Sequence, residues 1–575
     1  MSDIPQRPET PSRRPLVDWA RVRYPLAAIG VVTAACLPFI LVGPHIGHSL
    51  VWNISWSRGF TEALLSGEWY PRWLPRLFEG AGSPIFFFYG SIPFYFTAVG
   101  NLLCPGCRGP VQLGIGEWLI VTASAVAFYA FARGHAGPRA AAAGAVVYAL
   151  LPYHFAIDLC VRQALGETAA YIWMPLALLA VDRIAHGKPG VVRLAVAYAL
   201  LAMTHLPSTL LFSGFLVVYA GLWARARRSP ATVVRSLGGV ALGMVLAGVY
   251  LIPALRLQDA ISPQYLWGPY FRYDRWQFWS RDTPRIWFLL RLLYVIGVTT
   301  LAWLVLWIRV FRTSRDEDRL RAVAWGLFVA GAWFLMTPLS RPLWDALPVL
   351  QKVQFPWRVA IVVDLAVAAT TVLAIERIDF SARRRAAIVC LVFVVLPVVF
   401  SLVFTAQWGR WDLSQRQQHR DKIVFLDEAG LPPEEYLTPW TSGSLQTIRA
   451  ALLAAPGLFH QASDAGEITV LRRAPRRIQA RVAFERPAEV VVRQFYFPGW
   501  VARSEGWREP IRATPSPPYG LTALSLPAGR YDVDIVLSRT WQETAGLATS
   551  ALGILIAAAI AIGGWRRRAS PARPL

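Results

Sequence analysis

Three ionisable residues, Asp158, Arg162 and Glu167, close an apolar stretch that reads Leu151-Pro152-Tyr153-His154 and runs on to Gly166-Glu167. Charged groups at a membrane edge are costly unless paired, hydrated or functional; at the bilayer centre the cost is roughly 2.5–3.5 kcal/mol on insertion scales. Asp158 and Arg162 stand four apart, so a helix puts them on one face as an ion pair. Glu167 lies five residues beyond Arg162, off that face, and is expected to be free for another role. A carboxylate ionised at neutral pH can take up a proton, which makes Glu167, with Asp158 behind it, the candidate catalytic carboxylate. Candidate phosphate ligands are arginines, because a guanidinium meets phosphate oxygens two at a time. They are Arg162 itself, Arg72 beside Trp73 in Trp69-Tyr70-Pro71-Arg72-Trp73, and Arg358 in Gln354-Phe355-Pro356-Trp357-Arg358. An aromatic belt with snorkelling arginines accounts for the same residues without substrate. His205, in Thr204-His205-Leu206-Pro207, could touch substrate or serve as a hydrogen-bonded structural residue. The stretch Gln264–Arg285, rich in aromatics, Arg and Asp, suits either sugar stacking or a loop lying on headgroups.

The elements that position these residues are apolar blocks. The chain has 575 residues, 55% of them hydrophobic, with a mean hydropathy of +0.40. Its apolar residues come in blocks near the spanning length of about 20 residues. The net charge is +23, carried almost wholly by Arg. Those arginines sit in short clusters between apolar blocks, a positive-inside pattern and not a nucleic-acid stripe. One pair of crossings between consecutive basic clusters predicts about twelve spans, near 24–42, 113–133, 139–156, 168–185, 191–205, 207–223, 236–255, 286–309, 321–338, 357–376, 386–406 and 545–565. Both termini are then cytoplasmic, and the first span is retained as an anchor. Pro84–Leu103 breaks the parity if it crosses. With Gly90 and Pro93 inside it, the segment is expected to lie at the outer surface or re-enter.

The expected organisation is a basic tail (1–23), a transmembrane module (24–406) with an outer loop at 43–109, an extracytoplasmic block (407–544), and a last span with a basic tail (545–575). From about Glu467 the outer block alternates between β-branched runs and Pro/Gly turns, which predicts a small β-sandwich. Cys104-Pro-Gly-Cys107 suits a small disulfide if its loop is outside. Cys36, Cys160 and Cys390 read as small apolar residues. No Cys/His set has zinc spacing, and no nucleotide-binding glycine motif appears, so ATP is not expected to drive this chain.

Taken in order, GEWYPRW with GAGSPIFFFYG, PYHFAIDLCVRQALGE, THLPS, QFPWR, and FYFPGW with LPAGRYDV resemble the bacterial membrane proteins labelled "6-pyruvoyl-tetrahydropterin synthase-related", which are similar to the GT-C glycosyltransferases. The resemblance implies a polytopic helical fold with juxtamembrane helices in the first outer loop. It also implies a polyprenyl-phosphate-linked sugar as donor, a glycan or lipid of the envelope as acceptor, and reaction at the outer face. Such enzymes carry an acidic residue early in the first loop, as base or metal ligand, within a Gly-His-Asp followed by a His four residues on. Here Ser49 stands at the Asp position and Asn53 at the His position. The resemblance therefore leaves three readings: Glu167 or Asp158 as base; Glu62, Glu68 or Glu79 as a substitute within the loop; or a protein that binds lipid-linked sugar without turning it over. A flippase or an assembly protein of envelope polysaccharide synthesis is the competing class, and Asp364 is its main mid-membrane charge. A divalent metal, Mg or Mn, is the alternative to arginine for easing departure of the lipid phosphate.

Overall fold

A computed structural model of the chain describes residues 19–44, 47–377, 399, 403, 434–460 and 465–569. Among them, nine helices are long and apolar enough to cross a membrane: Val22–Val42, Gly109–Ala132, Pro138–Arg162, Leu165–Ala185, Leu206–Ala226, Ile286–Thr313, Asp316–Met336, Pro356–Glu376 and Trp541–Gly563. The molecule is a multi-pass helical membrane protein with a β-sheet region near its C-terminus. The expected span at 386–406 and the irregular block at 407–433 lie outside the described residues.

Two expected spans take another form. Val191–Thr204 is a helix of 14 residues, about 21 Å at 1.5 Å per residue and short of a ~30 Å hydrocarbon core. The span expected near 236–255 is broken into Ala231–Leu246 and Gly248–Arg256, bent by 67°. Pro253 lies inside the second piece. It has no N–H, so the Val249 carbonyl four residues earlier has no helical donor. The chain fills the gap from elsewhere: Arg72 Nη2 donates to Val249 O at 2.6 Å, and Ser550 Oγ, on the last span, donates to Leu246 O at 2.8 Å.

Pro84–Leu103 forms two pieces, Ile85–Phe88 and Ile92–Leu103. The longer has 12 residues, about 18 Å, too short to cross alone. It lies along Gly109–Ala132 through close-packed glycines. A Cβ on Gly116 would come 2.7 Å from Thr97 Cα, and one on Gly100 would come 2.4 Å from Gln112 O. The connection between the two helices is closed by a Cys104–Cys107 disulfide. Cys36 and Cys160 are buried thiols.

The strands expected after Glu467 appear, with four short ones besides. They are β1 Phe459–His460, β2 Gly466–Ala474, β3 Arg477–Phe484, β4 Ala488–Phe495, β5 Trp500–Arg503, β6 Ile511–Arg512, β7 Thr514–Ser516, β8 Leu521–Leu526 and β9 Gly529–Leu537. Two antiparallel sheets result, ordered β1-β4-β8-β7 and β2-β3-β9-β5-β6. Alternate residues Ile478, Ala480, Val482 and Phe484 of β3 point inward, against Val490 and Val492 of β4. The same core takes in Trp73, Phe78, Ala81 and Phe87. The first loop is thus part of the β-sandwich core and not a free flap over the membrane.

Candidate functional site

The most enclosed of the spans are Pro138–Arg162 and Pro356–Glu376, and the ionisable cluster hangs on their ends. Tyr153–Arg162 is wound as a ten-residue π-helix, a form that recurs at functional sites. Gln163 ends it in the left-handed region, φ 54°, and a new helix starts at Leu165. This break overturns one expectation. On a continuous helix Glu167 would face away from Arg162; the left-handed turn swings it back. Arg162 Nη1 bonds both Asp158 Oδ1 and Glu167 Oε2, the latter at 2.8 Å. Arg358 Nε lies 3.3 Å from the same Glu167 oxygen, and Tyr153 Oη donates to Oε1 at 2.8 Å. Glu167 is therefore not free but held by two guanidiniums and a phenol. The Asp158–Arg162 pair forms as expected.

Asp158 and Glu167 have fully buried side chains, and those of Arg162 and Arg358 are 8% and 13% exposed. The Arg162 guanidinium lies 4.5 Å above the Trp357 ring, and Arg358 Nη1 donates to Val353 O at 2.7 Å. Asp158 Oδ2 and Arg358 Nε are buried without a hydrogen-bond partner. Two acids facing two bases keep the cluster near neutrality, which is what allows it to be buried.

The start of the first loop is fastened to the same turn. His48 N donates to Val161 O (3.1 Å), Ser49 N to Arg162 O (3.2 Å) and Asn53 Nδ2 to Gln163 O (2.7 Å). Gly47 is required by this approach, since a Cβ there would lie 2.4 Å from Gln163 Cγ. Ser49 and Asn53, the positions at which an acid and a His were expected, thus sit against the backbone that carries Arg162. The His48 imidazole is pushed down to about 4 by burial and by the positive charges of Arg162 and Arg285, and is neutral at neutral pH.

His205 is the N-cap of Leu206–Ala226. Its Nδ1 pairs with Ser208 Oγ at 2.7 Å. A Cβ on Gly166 would come 3.3 Å from His205 Cδ2, which places the ring one residue from Glu167.

Arg72 and Trp73 belong elsewhere. Arg72 is buried, bonded to Val249 O, 3.4 Å from Glu543 Oε1, and under the Tyr70 ring. Arg476 Nη1 closes on the same Glu543 at 2.9 Å. Trp73 is fully buried and donates from Nε1 to Gln494 Oε1 at 3.1 Å. Both were expected to bind substrate. The broken span and the sandwich core claim them instead. Of the other first-loop acids, Glu62 pairs with Arg76 at 2.6 Å and Glu79 with Arg449 at 2.7 Å, while Glu68 makes no such pair among the described residues. Asp364 accepts from His154 N (3.0 Å) and Tyr171 Oη (3.1 Å), so the mid-membrane carboxylate is tied to its neighbours.

Sequence reasoning missed two acids. Glu543 anchors Arg72 and Arg476 at the start of the last span. Glu117 is buried in Gly109–Ala132 with both oxygens lacking hydrogen-bond partners. The available signal for Glu117 was its position as the lone charge in that apolar helix. Among the described residues no group of three or more His, Cys, Asp or Glu side chains could hold a metal ion. The described residues thus offer no Mg or Mn site, and no step is assigned to one.

No protein-family model matches the chain, and no curated protein matches it. Among solved structures it is similar to the archaeal oligosaccharyltransferase AglB from Archaeoglobus fulgidus, determined in complex with an inhibitory peptide and a dolichol-phosphate. The identity is 11% and the TM-score 0.41, over 73% of this chain. The aligned part spans 61% of that chain's length.

Proposed function

We propose that this protein is a membrane glycosyltransferase of the GT-C kind, moving a sugar from a polyprenyl-phosphate donor to a glycan or lipid of the cell envelope. The carrying observation is the buried set Asp158–Arg162–Glu167–Arg358, pinned to the start of the first loop. Two guanidiniums converge there on one carboxylate, and a phosphate is the ligand that would compete for both. The reading places the cluster toward the outer face of a bacterial inner membrane, with both termini cytoplasmic as the basic clusters demand.

In the mechanism we infer, donor phosphate enters between Arg162 and Arg358 and replaces Glu167 as the anion that both guanidiniums face. Glu167, released from them, accepts the proton of the acceptor hydroxyl. The hydroxyl oxygen bonds to the anomeric carbon, and the carbon–oxygen bond to the lipid phosphate breaks with its electron pair leaving on the phosphate. The arginines stabilise that charge in a water-poor site. Asp158 holds Arg162 in position, and the β-sandwich, joined to the first loop, offers a surface for the acceptor.

Glu167→Gln tests the assignment. Transfer of labelled sugar from a polyprenyl-phosphate donor in membranes, measured per folded protein because loss of the carboxylate also lowers melting, is expected to fall by about 10²-fold or more, the usual range for a lost general base. Undiminished transfer would sink it. A second reading, binding or flipping of the lipid-linked sugar without transfer, is favoured by Ser49 and Asn53, neither of which is a carboxylate. It predicts donor binding or scrambling that needs Arg162 and Arg358 but not Glu167.

A further inference from the structure

A groove of about 240 Å³ runs between the helix Leu50–Leu65 and the β2–β3 turn, lined by Glu62, Ser66, Arg76, Arg473 and small residues including Gly59 and Pro475. It opens where the first loop meets the β-sandwich, apart from the buried Arg162 cluster. Its charges do not balance. Arg76 is paired with Glu62 at 2.6 Å, and Arg449 with Glu79 at 2.7 Å. Arg473 donates only to backbone carbonyls, Gly80 O at 3.0 Å and Pro75 O at 3.5 Å. Arg493, on β4, donates from Nη1 to Pro456 O at 2.9 Å, and its Nε is buried with no hydrogen-bond partner. Neither arginine forms an ion pair among the described residues, and the nearest carboxylate acting on Arg493, Glu79, is already paired with Arg449. Burial in the seam and the like charges of Arg493 and Arg76 push the Arg473 guanidinium below its ordinary range.

Like charges gathered at one seam repel, and backbone carbonyls only partly offset that repulsion. An oxyanion would relieve it, and a phosphate, with several acceptor oxygens, matches guanidinium donors from two directions. We propose that this groove binds a phosphate group, presented either by a lipid headgroup or by a soluble phosphoester. Arg473 supplies the principal contact, Arg493 the supporting charge, and Arg76 shifts between Glu62 and the ligand. The proposal stands independently of the sugar-transfer reading, since it uses none of the residues of that site.

The test uses the full-length protein. In detergent, inorganic phosphate and glycerol phosphate are titrated at constant ionic strength while melting is followed. In nanodiscs, phosphatidylglycerol is compared with phosphatidylcholine. A saturable rise in melting temperature is expected in one arm. A response to the soluble probes assigns a phosphoester ligand, and a response confined to phosphatidylglycerol assigns the headgroup. The R473Q/R493Q pair is expected to weaken the apparent affinity at least tenfold, and R473K/R493K to retain it within a few-fold. If the glutamine pair does not fold, R473Q alone, at an exposed side chain, carries the comparison. No saturable response in either arm, or equal responses from wild type and the glutamine variant, overturns the proposal.

Discussion

Glu167 is shared by Arg162, Arg358 and Tyr153, and removing a partner from such a set leaves buried charge behind. Arg162→Met would strand Asp158 and Glu167 against Arg358 alone. Loss of one member of a buried ion set costs about 3–5 kcal/mol, so a clear fall in melting temperature in detergent is expected. A wild-type melting curve would show that the cluster is not a stabilising unit. His48 makes a pH-dependent counterpart. Its pKa is pushed down to about 4 in the fold, against an ordinary value of about 6.5. The unfolded chain therefore binds more protons between those values, and the His48 contribution is present above about 6.5 and lost as pH falls toward 4. Melting temperature is expected to decline across that window, and His48→Asn to flatten the decline. An unchanged slope in the variant would assign the effect to other groups.

At the scale of elements, the broken span joins three parts of the sequence. Pro253 frees the Val249 carbonyl, Arg72 answers it from the first loop, and Ser550 answers the preceding turn from the last span. A double-mutant cycle tests the first link. Arg72→Leu is expected to cost about 1.5–3 kcal/mol, as for a hydrogen bond from a charged donor. Pro253→Ala restores an N–H, so the Arg72→Leu cost should shrink in that background. Additive effects would mean that Arg72 acts only through Glu543. These contacts also show why Arg72 and Trp73 misled. Their residue types suit phosphate and sugar, but periodicity along one segment does not reveal a carbonyl freed at position 249 or a glutamine waiting at position 494.

For the whole molecule, the open question is which side each loop faces. Pro84–Leu103 is too short in its helical pieces to cross alone, and the adjoining turn is closed by a disulfide. The charge-parity count expects this loop outside. A reporter fused near Gly109 is expected to give an extracytoplasmic signal; a cytoplasmic signal would add a crossing before it and invert the assignment of every later loop. With that loop outside, the first loop, the β-sandwich and the Arg473 groove all face the same compartment.

The helical membrane class, most span positions and five strands were legible in the sequence. Apolar length and two- or three-to-four-residue periodicity are local consequences of burying backbone and side chains. The residues of the central cluster were legible too, because charge at the end of an apolar block is conspicuous. Their pairing was not. One left-handed residue, Gln163, turns Glu167 back onto Arg162, and one proline far along the chain decides where Arg72 goes. Both outcomes depend on the direction a backbone takes after a break and on what is packed there. Those are properties of the three-dimensional arrangement, so only the tertiary structure could decide that Glu167 is held, that Arg72 meets Val249 and Glu543, and that Arg473 meets no carboxylate among the described residues.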